Sequence, residues 1–361
     1  MFNPFKSTKS MFGFDSYLGV DIGTTSIKAV EIARGRKQPQ LKNYGILESY
    51  GHLERLNNAI HTNSLKIMEK DAIELLKMVL SNSKFKAIDV IASIPSFYAF
   101  ITVLEIPQMA QGETSKVVQF QARQHIPVPI TEVTIDWFKS GERQDSEGFV
   151  KQQVLLIAIP NEIISKYKNI FKMAGLNLHA LEMESISLIR ALSDEDVSPT
   201  LIVDIGSRST NIAIAENGAL RYNYQTDFSG VSLTQAISSG LGINIKRAEE
   251  LKKQKGLLGQ GGEYELSTLT LPFLDAIINE ARRALNGYEK IHDLKISRII
   301  LSGGGAKLLG IKEYFGKEMN LPVKIGNPFS KVEYPAAVEP IIKELGPMFS
   351  VAIGLGIRKF V

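Results

Sequence analysis

One short motif occurs twice in this chain, and it constrains the fold more than any other feature of the sequence. The first copy, at residues 19–28, reads Gly-Val-Asp-Ile-Gly-Thr-Thr-Ser-Ile-Lys, and the second, at residues 201–214, repeats the Val-Asp-Ile-Gly core. In both copies an apolar strand precedes the aspartate and an alternating strand follows a turn rich in hydroxyl groups, which predicts a β-hairpin. A third strand is predicted after each copy, at residues 40–47 and 219–225. Such a duplication predicts two related lobes that face one ligand.

The first turn carries groups that suit a phosphate and a metal ion. Its backbone N–H groups and hydroxyl groups can form an anion-binding nest, and Asp21, at the end of the strand, can hold a hydrated Mg²⁺. Lys28, on the returning strand, can reach a phosphate as a point charge. No helix is predicted after the turn, which separates it from a Walker loop or a dinucleotide fingerprint. Taken alone, the turn could also be a polar hairpin without a ligand, but the second copy favours the phosphate interpretation.

The two copies are not equivalent, because Lys28 corresponds by its offset from the aspartate to Asn211. Only the first lobe is therefore predicted to supply a cation. A third glycine-rich stretch, at residues 299–308, places three consecutive glycines after a short apolar strand.

These three stretches resemble, in the same order, the phosphate-1, phosphate-2 and adenosine motifs of the actin, heat-shock-70 and sugar-kinase superfamily. Within that superfamily the chain from about residue 14 to its end is most similar to the PilM family of type IV pilus assembly, with the FtsA family as its nearest cousin. The resemblance implies an α/β, actin-like (ribonuclease-H-like) duplicated two-lobe fold with an α+β subdomain of the 1C type inserted in the first lobe.

The resemblance also implies domain boundaries. Subdomain 1A is predicted at residues 14–96, 178–199 and 345–361, subdomain 1C at residues 97–177, and the second lobe, with subdomains 2A and 2B, at residues 200–344. The pattern of residues 97–177 is strand, helix, two strands and a helix, which is typical of a compact α+β module in the usual size range of a domain.

ATP and Mg²⁺ are the cofactors that the resemblance implies, held between the two lobes. The predicted cofactor-binding residues are Asp21, Gly23, Thr24, Thr25, Ser26, Lys28, Gly206, Ser207, Thr210, Glu249, Lys252, Gly303, Gly304, Gly305 and Lys307. Asp21 and Asp204 are predicted to hold the metal ion, and Glu184 and Asp204 are predicted to act in catalysis.

Two of these assignments have alternatives in the sequence itself. Glu184 lies where relatives carry the residue that positions the attacking water, a role that a carboxylate can fill. It could equally be an acid that the dipole favours at the start of a helix. Glu249 and Lys252, three residues apart on a predicted helix, match a pattern that faces the ribose and adenine in relatives. The charged run around them is also typical of a solvated helix face.

Composition and charge exclude several classes of function. The chain has 361 residues, 44% hydrophobic and 22% charged, and a net charge of +4 without a dense basic block, which argues for a globular protein and against a nucleic acid partner. The absence of cysteine excludes disulfide bonds and thiolate metal sites, and the five histidines form no metal-spaced pair. No run of 18 or more apolar residues occurs, so a cytoplasmic protein is predicted. Residues 1–14 are predicted to be a frayed tail or a weak membrane contact.

Three functions are compatible with these features. The resemblance implies first a cytoplasmic scaffold at the inner face of the cytoplasmic membrane, which binds ATP with slow or no hydrolysis. Its implied partner is the N-terminal cytoplasmic tail of a PilN-like inner-membrane protein, with pilus motor ATPases as further candidates. An FtsA-like polymerising cell-division protein is the alternative, disfavoured because the chain stops at Val361 without an amphipathic C-terminal helix. A small-molecule kinase of the same superfamily is the third.

The predicted partner site is a groove between the first lobe and subdomain 1C. Residues 93–106, which include Phe97, Tyr98 and Phe100, are the candidate for one wall, and the helix at residues 117–125 is the candidate for the other. A short tail can dock in such an apolar groove by strand addition or by filling side-chain pockets. The same aromatic side chains could equally form the core of the module, since most large apolar side chains are buried.

Overall fold

The computed structural model describes residues 16–48, 69–144, 148–193, 198–257 and 264–361. The predicted N-terminal tail at residues 1–14 and most of residues 48–63, a polar stretch that is typical of a loop, lie outside the described residues. The strands are β1 (Ser16–Ile22), β2 (Ser26–Ala33), β3 (Gln40–Glu48), β4 (Asp89–Ile94), β5 (Phe100–Pro107), β6 (Val133–Gln144), β7 (Val150–Pro160), β8 (Asn177–Met183), β9 (Thr200–Ile205), β10 (Thr210–Glu216), β11 (Ala219–Thr226), β12 (Arg298–Ser302) and β13 (Val323–Ile325). The α-helices are α1 (Glu69–Ser83), α2 (Gln111–His125), α3 (Asn161–Met173), α4 (Glu184–Leu192), α5 (Gly230–Leu241), α6 (Ile245–Lys255), α7 (Tyr264–His292), α8 (Ile311–Met319), α9 (Glu339–Leu345) and α10 (Ser350–Ile357).

The first lobe is built on a five-stranded sheet with the order β3-β2-β1-β4-β8. Strands β1, β2 and β3 run antiparallel, and β4 and β8 join in parallel beside β1. Every residue of β4 is buried, as expected of a parallel strand that is covered on both faces of its sheet. Helix α1 packs against β2 and β3.

The second lobe repeats this arrangement. Its five strands follow the order β11-β10-β9-β12-β13, again with three antiparallel strands and two that join in parallel. The registers of the two hairpins also match, because Asp21 pairs with Lys28 and Asp204 pairs with Asn211. The duplication that the two Asp-Ile-Gly motifs predict is therefore present in the structure down to the pairing of single residues.

Helices α4 and α10 connect the two lobes. Helix α4 contacts β4, β8 and α10 on the side of the first lobe, and β10 and β11 on the side of the second. One core cluster accordingly contains Leu18 and Leu188 together with Ile202, Ala213 and Leu220 of the second lobe. The hydrophobic core is therefore continuous from one lobe to the other.

Helix α10 is buried along its whole length and crosses α4 at close range. A Cβ at Gly354 would lie 2.0 Å from the carbonyl oxygen of Ser187, so only glycine allows the two helices this approach. The helical stretch Ala336–Ile357, with mean hydropathy 1.3, is long and apolar enough to cross a membrane by length and composition alone. It is 67% buried within the protein, which is typical of a core helix.

Residues 97–177 contain a three-stranded antiparallel sheet with the order β5-β7-β6. Helix α2 covers one face, where Val118 and Ala122 pack on Leu104 and Ile106. The other face carries Leu155, Ile157 and Ile159, which share a core cluster with α3 and the first lobe. We call this unit, strands β5 to β7 with helices α2 and α3, the inserted module.

The predicted pair of groove walls is wrong in one respect. The helix at residues 117–125 lies within α2, on the face of the module that is turned away from the first lobe. Ile101 instead packs on the α3 side, because alternate residues of a strand point to opposite faces of its sheet, and Tyr98, in the turn before β5, packs against the same cluster. Helix α3, and not α2, faces the turn Ser96–Tyr98 across the boundary between the first lobe and the module.

Candidate functional site

A cleft with a volume of about 580 Å³ lies between the two lobes. Both Asp-Ile-Gly turns, the start of α4, helix α6 and the glycine turn after β12 contribute to its walls. The predicted site residues that line it are Asp21, Gly23, Thr24, Thr25, Ser26, Lys28, Glu184, Asp204, Gly206, Ser207, Glu249, Lys252, Gly303, Gly304, Gly305 and Lys307. Residues far apart in the sequence thus converge on one space of the size that small-molecule ligands occupy.

Lys28 and Asp21 form an ion pair at the floor of the cleft. The Lys28 ammonium donates a hydrogen bond of 3.1 Å to Oδ2 of Asp21, and the two side chains are 13% and 8% exposed. The Ser93 hydroxyl donates to Oδ1 of the same carboxylate at 2.9 Å. Each carboxylate oxygen has a second lone pair, so Asp21 can still accept from a water of a hydrated cation.

Asp204 and Glu184 lie near Asp21, and protein surrounds both on the sides that do not face the cleft. Burial raises the pKa of Asp204 to about 6, and the Asp21 carboxylate adds to this rise, while the Ser302 hydroxyl and the Lys28 ammonium oppose it. Burial also raises the pKa of Glu184 well above its ordinary range, and the carboxylates of Asp21 and Asp204 raise it further. Three carboxyl groups and one ammonium therefore share one enclosed space, which favours the entry of a cation.

The two phosphate-type turns are closed by the same hydrogen bond. The Gly23 N–H donates to the carbonyl of Ser26 at 3.0 Å, and the Gly206 N–H donates to the carbonyl of Ser209 at 2.9 Å. The second turn is also fixed to the N-terminus of α5, where the N–H groups of Gly230 and Val231 donate to the carbonyls of residues 206 and 207. The turns are therefore held before any ligand arrives, with their hydroxyl groups at the cleft.

The glycine turn after β12 needs glycine for a structural reason. Gly303 has φ +79°, in the left-handed region, and a Cβ there would lie 2.5 Å from the carbonyl oxygen of Ile205 and 3.0 Å from Oδ1 of Asp204. Its N–H donates to the carbonyl of Pro347 at 3.0 Å. This turn brings bare backbone against the second aspartate and leaves an open edge at Gly304, where a flat ring can lie close to the main chain.

Glu249 and Lys252 lie on one face of α6 and bind each other at 2.6 Å. The Lys252 ammonium also donates to the Gly230 carbonyl at 3.0 Å and to the Thr234 hydroxyl at 2.8 Å, so its three protons are all used. Although burial acts in the opposite direction, the Lys252 ammonium lowers the pKa of Glu249. The pair links α6 to the start of α5 and presents a charged wall to the cleft.

Thr210 does not reach the cleft, which corrects one predicted site residue. Its side chain is fully buried, and its hydroxyl donates to the carbonyl of Phe228 at 2.7 Å. The register explains this, because Thr210 pairs with Ile205 as Ile27 pairs with Ile22, and Ile27 is a core residue. The next residue, Asn211, points to the cleft as Lys28 does in the first lobe.

Several cleft residues were not predicted. Asn211 had a signal in the sequence, its offset from Asp204, but it was interpreted only as a missing cation. The others come from β3 and from turns, loops and helices whose approach depends on tertiary packing: Ile46, Glu48, Pro95, Phe97, Arg208, Ser209, Gly230, Leu233, Lys253, Leu308, Glu344, Leu345, Pro347, Met348 and Val351.

No cluster of three or more His, Asp or Glu side chains suitable for binding a metal directly occurs in the described ranges. The donor set at the floor of the cleft is nevertheless the kind that Mg²⁺ uses, with two aspartates that can hold its waters and room for phosphate oxygens to complete the shell. Asp21 and Asp204 therefore fit a hydrated Mg²⁺ better than a closed protein site.

Comparisons with known proteins give the following. The family model described as Type IV pilus assembly protein PilM matches residues 19–360. The cell division protein FtsA of Enterococcus hirae is 24% identical over 378 residues, 90% of this chain and 84% of that protein. FtsA of Pseudomonas aeruginosa is 27% identical over 209 residues, 51% of this chain and 48% of that protein.

Among solved structures, a PilM-PilN type IV pilus biogenesis complex superposes with a TM-score of 0.80 at 22% identity, covering 95% of this chain and 98% of that one. MreB5 of Spiroplasma citri bound to ADP superposes with a TM-score of 0.54 at 15% identity, covering 96% of each chain. At these identities the likeness is one of fold, and it confirms the predicted actin-like two-lobe architecture.

Proposed function

Because the chain belongs to the PilM family of type IV pilus assembly proteins, we propose that it is an ATP-binding scaffold of the pilus assembly platform. In this proposal it works in the cytoplasm at the inner face of the cytoplasmic membrane. It binds the N-terminal cytoplasmic tail of a PilN-like membrane protein, and pilus motor ATPases are candidates for a further contact.

The observation that carries the ATP part is the two-sided construction of the cleft. Two turns with matching closure and register, one from each lobe, face a space of about 580 Å³ whose third wall is the bare backbone at residues 303–305. Backbone N–H groups and hydroxyls suit the phosphates, Lys28 supplies a positive charge, and the glycine turn suits adenine. No such symmetry is needed for a ligand without a phosphate chain.

The acidic residues of the cleft have different roles in this proposal. Asp21 and Asp204 would hold Mg²⁺ through its waters, and the bound ion would neutralise charge on the phosphates. Glu184 has a raised pKa and lies beside both aspartates, where its carboxylate, once ionised, can orient a water. We expect hydrolysis to be slow, because a scaffold needs the bound state and not turnover.

Calorimetric titration with ATP in the presence of Mg²⁺ tests this proposal. Asp21→Ala and Asp204→Ala should each weaken binding by at least about tenfold, since each removes a charge-assisted contact. Asp71→Ala, on α1 and outside the cleft, is the matched control and should leave affinity unchanged. Unchanged affinity in both cleft variants would exclude the nucleotide interpretation.

The partner part rests on a narrow apolar crevice of about 10 Å³, which we call the seam, between the first lobe and the inserted module. The seam is lined by Ile22, Gly23, Thr24, Pro95, Phe97, Tyr98, Lys166, Tyr167 and Ile170. The rings of Phe97 and Tyr98 lie 4.3 Å apart at its edge, and Lys166 adds a positive charge. Aromatic walls at the mouth of this crevice suit an apolar side chain of an extended peptide.

The seam is tested with a labelled peptide from the N-terminus of a PilN-like membrane protein. Phe97→Ala should weaken its binding by about tenfold or more, the usual range for an aromatic anchor. Phe120→Ala is a matched control, because Phe120 is 65% exposed on α2, the helix that faces away from the seam. Equal effects of the two substitutions, or no binding at all, would exclude the seam as the partner site.

Because FtsA proteins are among the relatives of this chain, a polymerising cell-division protein is the second candidate function. Filament imaging with ATP and sedimentation with liposomes separate the two. Filaments and direct binding to liposomes would favour the second candidate, and peptide binding by a protein that does neither would favour the scaffold. A screen for ATP consumption with sugars and carboxylates tests the small-molecule kinase.

A further inference from the structure

A contact between the second lobe and the inserted module has no role in the function proposed above. It is formed by β11 on one side and by β6 and the turn Ser96–Tyr98 on the other. Across β10 and β11, Asn211 pairs with Gln225 and Ala213 pairs with Asn223. Directly paired residues point to the same face of a sheet. Ala213 belongs to the core cluster of the first lobe, so this face is the one turned toward the first lobe and its module.

This face carries buried polar groups that lack partners. The side-chain carbonyl oxygens of Asn211, Asn223 and Gln225 are buried and accept no hydrogen bond from any residue that the structure describes. At the far end, Arg221 pairs with Glu216 at 2.8 Å and lies over Gly141 of β6, where a Cβ would be 1.5 Å from Nη1. Buried polar groups are normally hydrogen-bonded. Several buried polar groups at this one contact lack a hydrogen-bond partner among the described residues. Water or a ligand can satisfy them only when the contact opens, so we expect it to open readily.

Asn211 is the end of this face that reaches the cleft. It lines the cleft and pairs with Asp204 across the second hairpin. Its Nδ2 donates a buried hydrogen bond of 3.0 Å to the hydroxyl of Ser96. Ser96 begins the turn that leads into the module, and its neighbours Pro95 and Phe97 line both the cleft and the seam. One amide therefore contacts the ligand space and the base of the module at once.

We propose that the hydrogen bond between Asn211 and Ser96 is a latch through which nucleotide in the cleft controls the inserted module and its seam. The inference rests on the proposed function, since it needs a phosphate-bearing ligand between the lobes. A phosphate oxygen at the second turn accepts from the amide of Asn211 and pulls its nitrogen away from Ser96, because both N–H groups lie on the one Nδ2 atom. When the phosphate wins, the turn Ser96–Tyr98 loses its tie to the second lobe and the underpaired face opens.

The latch satisfies the requirement that a ligand must distinguish two arrangements in order to shift them. The phosphate accepts from Asn211 at a shorter distance when the amide moves away from Ser96, so it favours the open arrangement. By linkage, a peptide that changes the position of the Ser96–Tyr98 turn changes the affinity for ATP by the same factor. Asn223 and Gln225 lower the barrier to opening and do not contact the nucleotide.

Hydrogen–deuterium exchange of the full chain, with and without saturating ATP and Mg²⁺, measures the latch directly. In the closed turn the Tyr98 N–H donates to Pro95 and the Ala99 N–H donates to Ser96. Both amides should exchange at least about fivefold faster with nucleotide bound, the lower end of typical coupling. Ser96→Ala should show the faster exchange without nucleotide and no further change with it. Ser81→Ala, an exposed serine on α1, should respond as the wild type does.

Exchange that does not respond to ATP in the wild type, or that still responds in Ser96→Ala, overturns the latch. ATP binding itself is verified by calorimetry on the same samples, and its absence overturns the latch together with the cofactor proposal. A folded state of each variant is checked by its thermal transition.

Peptide affinity separates failure of the latch from failure of the proposed partner. In the wild type the dissociation constant of the labelled tail should differ at least about fivefold with and without ATP, and this ratio should fall to about one in Ser96→Ala and Asn211→Ala. Asn279→Ala, on the exposed face of α7, should keep the ratio. If the peptide binds with equal affinity with and without ATP, the latch is excluded and the proposed partner is retained. If hydrogen–deuterium exchange responds to ATP but the peptide does not bind, the proposed partner is excluded and the latch is retained.

Discussion

At the scale of single residues, the floor of the cleft holds carboxyl groups in surroundings that disfavour their charge. Asp204 has its pKa raised to about 6, chiefly by burial, and Glu184 is raised well above its ordinary value for the same reason. An enclosed carboxylate lowers the stability of the ligand-free protein and strengthens its attraction for a cation. Such a trade of stability for function is common at binding sites.

This trade predicts a pH-dependent effect of Asp204→Asn on the ligand-free protein. The folded chain loses the Asp204 proton near pH 6 and the unfolded chain near pH 4, so the folded state binds more protons between these values. The group therefore lowers stability as the pH rises through this window, and the loss is complete above it. Asn removes the loss, so urea unfolding at pH 7.5 should show a gain of about 1–2 kcal/mol, discounted because the side chain is open to the cleft.

At pH 4.5 most of that gain should disappear, since the folded Asp204 is then protonated. Asp227→Asn, an exposed residue after β11, is the control and should change stability little at either pH. A gain of equal size at both values would show that the ionised carboxylate is not the cause.

A second prediction at this scale concerns Glu184. Because a group that orients water acts mainly on the transition state, Glu184→Gln should lower any ATP hydrolysis by about a hundredfold and leave the affinity for ATP nearly unchanged. Single-turnover assays and calorimetry on the same variant measure the two quantities. Equal losses of binding and hydrolysis would assign Glu184 a structural role at the start of α4, the alternative that the sequence left open.

At the scale of elements, the crossing of α10 and α4 depends on one glycine. Gly354→Ala places a Cβ 2.0 Å from the Ser187 carbonyl oxygen, so the helices must separate. We expect a loss of about 2–3 kcal/mol in the free energy of unfolding, the upper part of the range for overpacking. Gly287→Ala within α7 is the matched control, because its Cβ would meet no atom within 4 Å and alanine favours a helix by about 0.5–1 kcal/mol. Denaturant unfolding should therefore shift in opposite directions for the two substitutions.

Elements with local signals were predictable from the sequence, and elements that depend on packing were not. The Asp-Ile-Gly hairpins and the glycine turn after β12 follow from alternation and turn residues, and the structure has them where the motifs lie. The apolar periodicity of residues 273–292 predicts a helix that begins after Pro272, but α7 begins at Tyr264 and contains that proline. Proline removes one hydrogen bond, while Leu266 and Leu274 on its two sides are buried, so packing outweighs the local signal.

The candidate site shows the same division. Thr210 enters the predicted site through the resemblance of its turn to the phosphate-2 motif, whereas the register of β10 decides which side chain faces the cleft. The groove wall at residues 117–125 was assigned from apolar content, and the packing of α2 on Leu104 and Ile106 accounts for that content as core. Periodicity identifies which side chains share a face but not which neighbour covers that face.

At the scale of the whole molecule, the two lobes share a core while the cleft between them is open on one side. Helix α4 joins them with residues such as Leu188 and Ile189, and a buried ion cluster adds to this joint, in which Glu182 binds Arg190 at 2.6 Å and Arg358 at 3.0 Å. Leaving one member of such a cluster without its partner is strongly unfavourable, so the joint is expected to break as a unit.

This organisation predicts that the protein unfolds in one cooperative thermal transition. ATP should raise the Tm of that transition without dividing it into two. Ligand at one hundred times its dissociation constant adds about 2.7 kcal/mol to the free energy of unfolding, which for a chain of this size raises Tm by several degrees. In the proposed complex both turns contact the phosphates, so Asp21→Ala in the first lobe and Asp204→Ala in the second should each abolish most of the shift. Differential scanning calorimetry with ATP and Mg²⁺, and with EDTA as the control, measures it. Two transitions of which ATP moves only one would mean that the lobes unfold separately and that the ligand binds a single lobe, contrary to the two-sided cleft.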